Sequence, residues 1–451
     1  MKKIVISEHG QIHRWAGHDK PPENTMSLAF LSEPLYRKLE KNEARLNASG
    51  EPVFICYKDY LKAQQWVGVI QIPGLLIEIL PKVDNADQQS RELVESHWCE
   101  ARQNLLYMLS IIGDLPVRAR GLAWLGARKS PLNETLAVLF ADRLKTELLR
   151  GPEKNYVSKE DNLHCFRGRL LTSQHLLKNA AHREKFYCRF AVFSEDTLLN
   201  KVFKYAVKSL LGITKAAVAQ DKLRHCLLIL DEVSDIRVTQ KHIDAVTFTR
   251  QNNRFEALFQ FCKLIIGEKS PTIKSGDTLS FSLLFDMNKV FERFIATYLQ
   301  REVISCLPGY QVYSQSYGNH RPLYQNERST GELYLKPDIL IRRRSDNSLL
   351  VIDTKWKRFN QRPSESDLYQ LYAYTQRYGC EQSILLYPFF PEKQAMDFFI
   401  LDETGKRSGR KVGIRFVNMN RNLLLNAEKE ILTKDLMQLI QSGFSLDSNP
   451  Q

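Results

Sequence analysis

Residues 349–356, Leu-Leu-Val-Ile-Asp-Thr-Lys-Trp, constrain this chain more than any other stretch. Four consecutive apolar residues, Leu349 to Ile352, suit a strand buried on both faces at the centre of a sheet. Alternation then puts Asp353 and Lys355 on one face, and Thr354 and Trp356 on the other. An acid and a lysine at the end of a buried strand are costly unless paired or bound to metal. Upstream, Ser345, Asp346 and Asn347 are turn formers. A hairpin is therefore expected, with strands over Leu333–Arg343 and Ser348–Trp356. Centred near Asp346, it brings Asp338 opposite Asp353 or Thr354, where cross-strand Cβ atoms stand about 4.5–5.5 Å apart. Two carboxylates so placed can share one divalent cation. Carboxylates holding Mg2+ beside a phosphate, with an ammonium to orient water or stabilise charge, are what phosphodiester hydrolysis requires.

Pro337-Asp338, followed after fourteen residues by Asp353-Thr354-Lys355, resembles the signature of the PD-(D/E)xK nucleases. Gln370-Leu-Tyr-Ala-Tyr374, on a helix expected from about Ser366 to Tyr378, resembles the QxxxY helix of their RecB-like branch. A short D-x-K alone matches by chance often; its placement at strand ends before a QxxxY helix is more specific. The resemblance implies that Asp338 and Asp353 bind Mg2+, with the backbone carbonyl of Thr354 adding an oxygen. Lys355 would act near the scissile phosphate as base or electrostatic stabiliser, and Gln370 and Tyr374 would position the phosphate and the sheet end. It further implies an acid on the preceding helix, expected over Asp286–Gln300, where Glu292 shares a face with Ile295, Ala296 and Leu299. The competing readings are a surface hairpin with a salt bridge, a core tyrosine beside a structural amide, and an ordinary surface glutamate.

At 451 residues, two or three domains are expected. No run approaches the roughly 18–20 apolar residues of a membrane span, and the opening MKKIVISEHG breaks at Ser7 and Glu8, unlike a secretory leader. A cytoplasmic location is expected. The eight cysteines show no C-x-x-C pair and no zinc spacing, so they read as reduced residues, Cys56 and Cys262 among them in apolar settings. The net charge of +13 suits a polyanionic partner. It gathers at Arg342–Arg344 and at Lys355, Lys357 and Arg358. A third group, Lys406-Arg407 with Arg410-Lys411, reads equally as a solvated face.

Three parts are expected along the chain. Residues 1–89 form a small β-rich module, a barrel or sandwich, with strands at Lys3–Ser7 and Val53–Tyr57 and two more turning at Pro73-Gly74. Residues 90–270 are read as mainly helical, with helices over 104–116, 132–151 (capped by Asn133) and 196–212 (ended by Gly212). Arg167 and Arg169 there flank Gly168, either to reach phosphates or as part of a plain loop. Residues 271–445, entered through SPTIKSGD (270–277), form the α/β core, a mixed sheet flanked by helices, and 446–451 a loose tail.

The order of these parts, from GLLIEILPKV through FRGRLLTSQHLLKN to DMNKVFE, KPDIL, VIDTKWK and DLYQLYAY, resembles the McrC family. These are the nuclease subunits of McrBC-type, 5-methylcytosine-specific (type IV) restriction systems. The chain is long for that family, and insertions in its middle are expected. The resemblance implies docking through the N-terminal module onto an McrB-like AAA+ GTPase hexamer, stimulation of that GTPase, and cleavage of cytosine-modified double-stranded DNA. No G-x-x-x-x-G-K-[ST] occurs, so GTP is expected in the partner and not in this chain. Two further readings are an autonomous RecB-like nuclease, with residues 1–85 gripping DNA, and a non-catalytic DNA-binding scaffold.

Overall fold

The computed structural model describes residues 1–17, 22–47, 51–82, 91–115, 130–266, 281–315, 320–327, 329–359, 361–388 and 394–444. The expected break at Asn85–Gln89, the connection at 270–277 and the tail at 446–451 lie outside them. The chain forms two compact units: Met1–Lys129 together with Ile273–Gln451, and Ser130–Thr272 between them in sequence. This division differs from the expected three parts, and two elements explain why. The strand Phe281–Asp286, which the sequence reading did not assign, pairs antiparallel with Trp66–Ile72. The helix Arg91–Ile112 packs on the helix Met287–Tyr298, where Arg293 forks onto Asp114 at 2.8 and 2.9 Å.

The N-terminal residues, together with Phe281–Asp286, build two four-stranded sheets. One has the order Lys2–Ser7, Leu75–Leu80, Trp66–Ile72, Phe281–Asp286; the other, Leu28–Ser32, Gln11–Trp15, Tyr60–Ala63, Phe54–Cys56. Inward residues of both, among them Ile4, Ile6, Ile77, Ile12 and Leu61, share one core with Leu39 of the helix Glu33–Leu46. Fully burying each such side chain contributes about 1.5–3 kcal/mol. Gly68 (φ 138°) is where the returning strand comes closest, because a Cβ there would run into the Leu283 carbonyl. The strand LLIEIL is buried at every position, including Glu78, which is 1% exposed. That carboxylate is matched by Lys3 at 3.0 Å and by the Arg102 fork, whose Nη2 lies 3.1 Å away.

The C-terminal part of this unit carries a six-stranded mixed sheet ordered Tyr310–Ser314, Ile339–Arg343, Leu349–Thr354, Gln382–Pro388, Arg407–Val417, Met396–Leu401. Leu349–Thr354 runs antiparallel to Ile339–Arg343 and parallel to Gln382–Pro388. The helix Glu365–Tyr378 makes the parallel crossover and buries Leu371, Tyr374 and Tyr378 against Val351, Leu385 and Ile414. The helix Asn426–Gly443 also packs on the sheet, so closely that a Cβ at Gly443 would stand 2.6 Å from Leu350. Among the described residues no helix is long and apolar enough to cross a membrane.

The unit Ser130–Thr272 is less helical than expected. Its helices Leu132–Leu149, Leu198–Ile213, Ala217–Ile229 and Glu256–Ile266 are joined by an antiparallel sheet of Asn155–Leu163, Phe186–Ser194 and the short Arg169–Leu170. Asn133 is not a cap but lies inside its helix, which starts after Pro131. Gly212 does not stop its helix either, which runs on to Ile213 and ends at Thr214. Cys56, expected in a core, is exposed; Cys188, Cys226, Cys262 and Cys380 are buried, and all eight thiols are free.

Candidate active site

The single strand expected over Leu333–Arg343 is two strands. Gly331–Leu335 pairs with Arg321–Gln325, and Ile339–Arg343 pairs with Leu349–Thr354. Pro337, which has no N–H to give to a ladder, stands in the break. The register Ile339 to Ile352, continued by one step, sets Asp338 opposite Asp353. Thr354 fastens Asp338 in place: its backbone N–H and its hydroxyl both donate to Asp338 Oδ2, at 2.8 and 2.9 Å.

Asp353 and Lys355 do share a face. The Lys355 ammonium lies 2.7 Å from Asp353 Oδ2 and 3.6 Å from Asp367 Oδ1. It also donates to Gln370 Oε1 at 3.3 Å. Gln370 Nε2 donates to the Tyr374 hydroxyl (2.9 Å), which donates to the Lys336 carbonyl (3.0 Å). The Q-x-x-x-Y pair, one helical turn apart, thus ties Lys355 to the backbone two residues ahead of Asp338. The helix that carries it is fixed at both ends. Ser364 caps its N-terminus by accepting the Asp367 N–H, and Gly379, at φ 66°, closes its C-terminus.

Glu292 is half-buried on the helix Met287–Tyr298. Gln315 Nε2 donates to its Oε1 at 2.5 Å, and the Gln315 N–H donates to the Asp338 carbonyl at 3.3 Å. Gln315 and Asp367 were not singled out from the sequence. Asp367, nine-tenths buried, takes Lys357 at 2.6 Å as well as Lys355. Its position three residues before Gln370, on the same helical face, was the available signal.

The charges do not balance. Burial, then the Glu292 charge, raises the Asp338 carboxyl above its ordinary range. Burial, then Asp338, raises that of Asp353, and burial followed by Asp353 raises that of Glu292. Burial opposes the charge on Lys355, yet Asp353, Asp367 and Asp338 together raise its pKa and keep it an ammonium. Among the described residues no three His, Cys, Asp or Glu side chains are gathered as a ready metal cage. Asp338 is turned onto Thr354 and Asp353 onto Lys355.

The basic groups are partly engaged. Arg342 donates to Asn347 and Arg343 to Asp346, so both brace the hairpin turn. Lys411 pairs with Asp397, and Arg407 lies over the Phe399 ring. Arg167 lies over the Phe190 ring, and Arg169 sits opposite Arg189 in the short strand. On the outer side of the Glu365–Tyr378 helix, Tyr369 and Tyr372 are exposed.

The fold and the site therefore define a mixed α/β protein with carboxylates, Asp338, Asp353 and Asp367, and the ammonium of Lys355 at the end of its central strand, Lys357 closing on Asp367. Residues 61–388 match the family described as McrBC 5-methylcytosine restriction system component, and the chain belongs to that family. It is 22% identical over 237 residues to the type IV methyl-directed restriction enzyme EcoKMcrBC of Escherichia coli (strain K12). That alignment covers 50% of this chain and 66% of the relative, just under two thirds of its length. The fold is similar, at TM-score 0.65 and 22% identity, to a chain in the half-complex from a tetradecameric assembly of Thermococcus gammatolerans McrB AAA+ hexamers with bound McrC. The match covers 97% of this chain and all of that one.

Proposed function

We propose that this chain is the endonuclease subunit of a modification-dependent restriction complex, a PD-(D/E)xK enzyme that hydrolyses DNA phosphodiesters with Mg2+. The observation that carries the reading is the Asp338–Asp353–Lys355 group at the sheet end, held by the Gln370–Tyr374 relay. Within the six-stranded sheet, three strands (Tyr310–Ser314, Ile339–Arg343, Leu349–Thr354) follow the helix Met287–Tyr298, and the helix Glu365–Tyr378 then leads to the strand Gln382–Pro388, an order that supports a nuclease core of that kind.

Asp338 and Asp353 would hold the ion, with Glu292 and the Thr354 carbonyl beside them. Hard carboxylate oxygens with surplus negative charge fit Mg2+ in kind. A pair of carboxylates is also the usual protein share for an ion that keeps waters and takes phosphate oxygens. Bound there, Mg2+ supplies Lewis-acid polarisation of the phosphate and a more acidic water. Water oxygen bonds to phosphorus as one P–O ester bond breaks, leaving a phosphate monoester and a hydroxyl. Lys355, kept an ammonium by its acidic neighbours, serves as a cation toward the phosphate and not as the base. Asp367 and Gln370 hold it when Asp353 turns toward the ion. Tyr369, Tyr372 and Lys357 would line the approach of DNA, with salt-sensitive binding.

The Thermococcus assembly pairs McrB hexamers with McrC, and membership of the McrBC family supports an AAA+ GTPase partner here. The deciding experiment is cleavage of cytosine-methylated and unmethylated plasmid with Mg2+. The chain is assayed alone and with the partner plus GTP, with Asp353→Ala as control. The reading expects cleavage only with partner, GTP and methylation, and none in Asp353→Ala. Cleavage by the chain alone would point to an autonomous nuclease, and DNA binding without any cleavage to a scaffold.

A further inference from the structure

The N-terminal sheets meet the candidate active site at a buried contact. Glu8 directly follows the first strand and is 2% exposed. Its Oε1 accepts the Trp356 indole N–H at 2.6 Å and the Lys82 backbone N–H at 3.0 Å. Glu8 and Trp356 are 348 residues apart in sequence. Trp356 directly follows Lys355, and its ring stands 5.1 Å from that of Phe291, the neighbour of Glu292. The same sheet also leads into the Glu292 helix: Phe281–Asp286 ends it, and Asp286 caps the helix by accepting the Asn288 N–H at 3.0 Å.

A buried carboxyl is a costly way to satisfy an indole N–H and one backbone N–H. A glutamine or a backbone carbonyl would do so without burying charge. What this arrangement adds is a short, directional bond just beyond the end of the Leu349–Thr354 strand. Trp356 cannot rotate without breaking it or leaving Phe291, so the bond fixes the backbone on which Lys355 is mounted and the helix face next to Glu292.

We infer that Glu8 is a positioning residue for the metal centre: by holding Trp356, it sets the spacing between the Asp353–Lys355 strand end and the Glu292 helix. The N-terminal sheets are then part of the nuclease framework, whatever else they dock to. The inference rests on the centre proposed above, and its test separates the two.

Mg2+ binding to the full-length chain is measured by titration calorimetry, without DNA or partner, for the unaltered protein, Glu8→Ala, Glu8→Gln, Trp356→Phe and Asp353→Ala. Melting temperatures are recorded beside each titration. Remote supports of metal ligands are worth about tenfold or more in affinity. Glu8→Ala and Trp356→Phe should each weaken Mg2+ binding about tenfold. Glu8→Gln, which keeps an acceptor for the indole, should recover most of the loss. A merely structural role would lower the melting temperature of Glu8→Ala and Glu8→Gln alike and leave the Mg2+ affinity of the folded fraction unchanged. Trp356→Phe keeps the ring packing, so it carries the test if Glu8→Ala does not fold. Unchanged Mg2+ affinity in Glu8→Ala or Trp356→Phe, with binding lost in Asp353→Ala, overturns the role of Glu8 alone. Full binding in Asp353→Ala overturns the centre itself, and the inference with it.

Discussion

Glu78 and Asp353 are both 1% exposed and both sit on interior strands of the same compact unit, yet their surroundings are opposite. Glu78 has two cations, Lys3 and Arg102, and no acid contacts it in the described ion pairs. Burial works to raise its pKa, but Arg102 and then Lys3 outweigh it and hold the carboxyl below the ordinary range. Asp353 shares one ammonium with Asp367 and faces Asp338, so burial and like charge raise it. A buried carboxylate that is fully matched is a structural joint. One left in surplus of negative charge carries an uncompensated electrostatic cost, on which the proposed function draws.

The largest expected effect separates the two sites by activity. Asp353→Ala and Asp338→Ala should each slow cleavage by the assembled complex about a thousandfold or more, the rate equivalent of several kcal/mol of lost charge stabilisation. Both variants should unfold in denaturant at least as late as the unaltered chain, because they relieve repulsion. A marked loss of stability without loss of activity would erase the contrast.

Glu78→Ala should do the reverse. It leaves the Arg102 guanidinium, largely buried, without its carboxylate, at a cost of roughly 3 kcal/mol, read as an earlier urea midpoint. Mg2+ affinity in the folded fraction should hold.

The pH dependence sharpens the same point. Burial raises Asp338 and Asp353, and it raises Glu8, despite the Lys82 and Trp356 bonds, to about 7. Raised folded-state values mean the native chain holds protons that the unfolded chain has lost between about pH 4 and neutrality. That stability is present at the acid end and disappears as pH rises through the window. Melting of the metal-free chain should therefore shift down from about pH 5 to about pH 8. Mg2+ should restore it at the upper end by binding the native state. Glu8→Gln should remove part of the slope, and Asp353→Asn more. A slope of the opposite sign would contradict the surplus-charge account.

The smallest effect concerns Lys355. Asp367→Asn should reduce cleavage by about tenfold or less, since Gln370 still holds the ammonium when Asp353 turns toward the ion. The loss should grow when Gln370→Ala is added, by more than the product of the single effects. Strict multiplicativity would mean the two residues do not act on the same lysine.

What was legible in the sequence follows from how local each signal is. The apolar run into Asp353 and Lys355, the turn at 345–347 and the 370–374 pair are read within a few residues, whereas the stretch broken at Pro337 reads as one continuous strand. The partition of the chain was not legible. Phe281–Asp286 looks like any short apolar run until its partner, Trp66–Ile72, is known. The sheet at 155–194 escaped for another reason: NYVSKEDNL is almost wholly surface-facing, so no inward-outward alternation is written into it. Glu8 was silent because its meaning lies in an indole hundreds of residues away.

The return of Phe281–Asp286 to Trp66–Ile72 has a consequence for how the molecule is born. At ordinary elongation rates of about 5–20 residues per second, roughly ten to forty seconds separate synthesis of the two strands. Throughout that interval the nascent sheet has an open apolar edge, the kind that recruits stray strands. Fragments ending before residue 281 would keep that edge permanently. A shortened chain meant to isolate the N-terminal sheets should therefore be made with Phe281–Asp286 grafted back on, or it will precipitate.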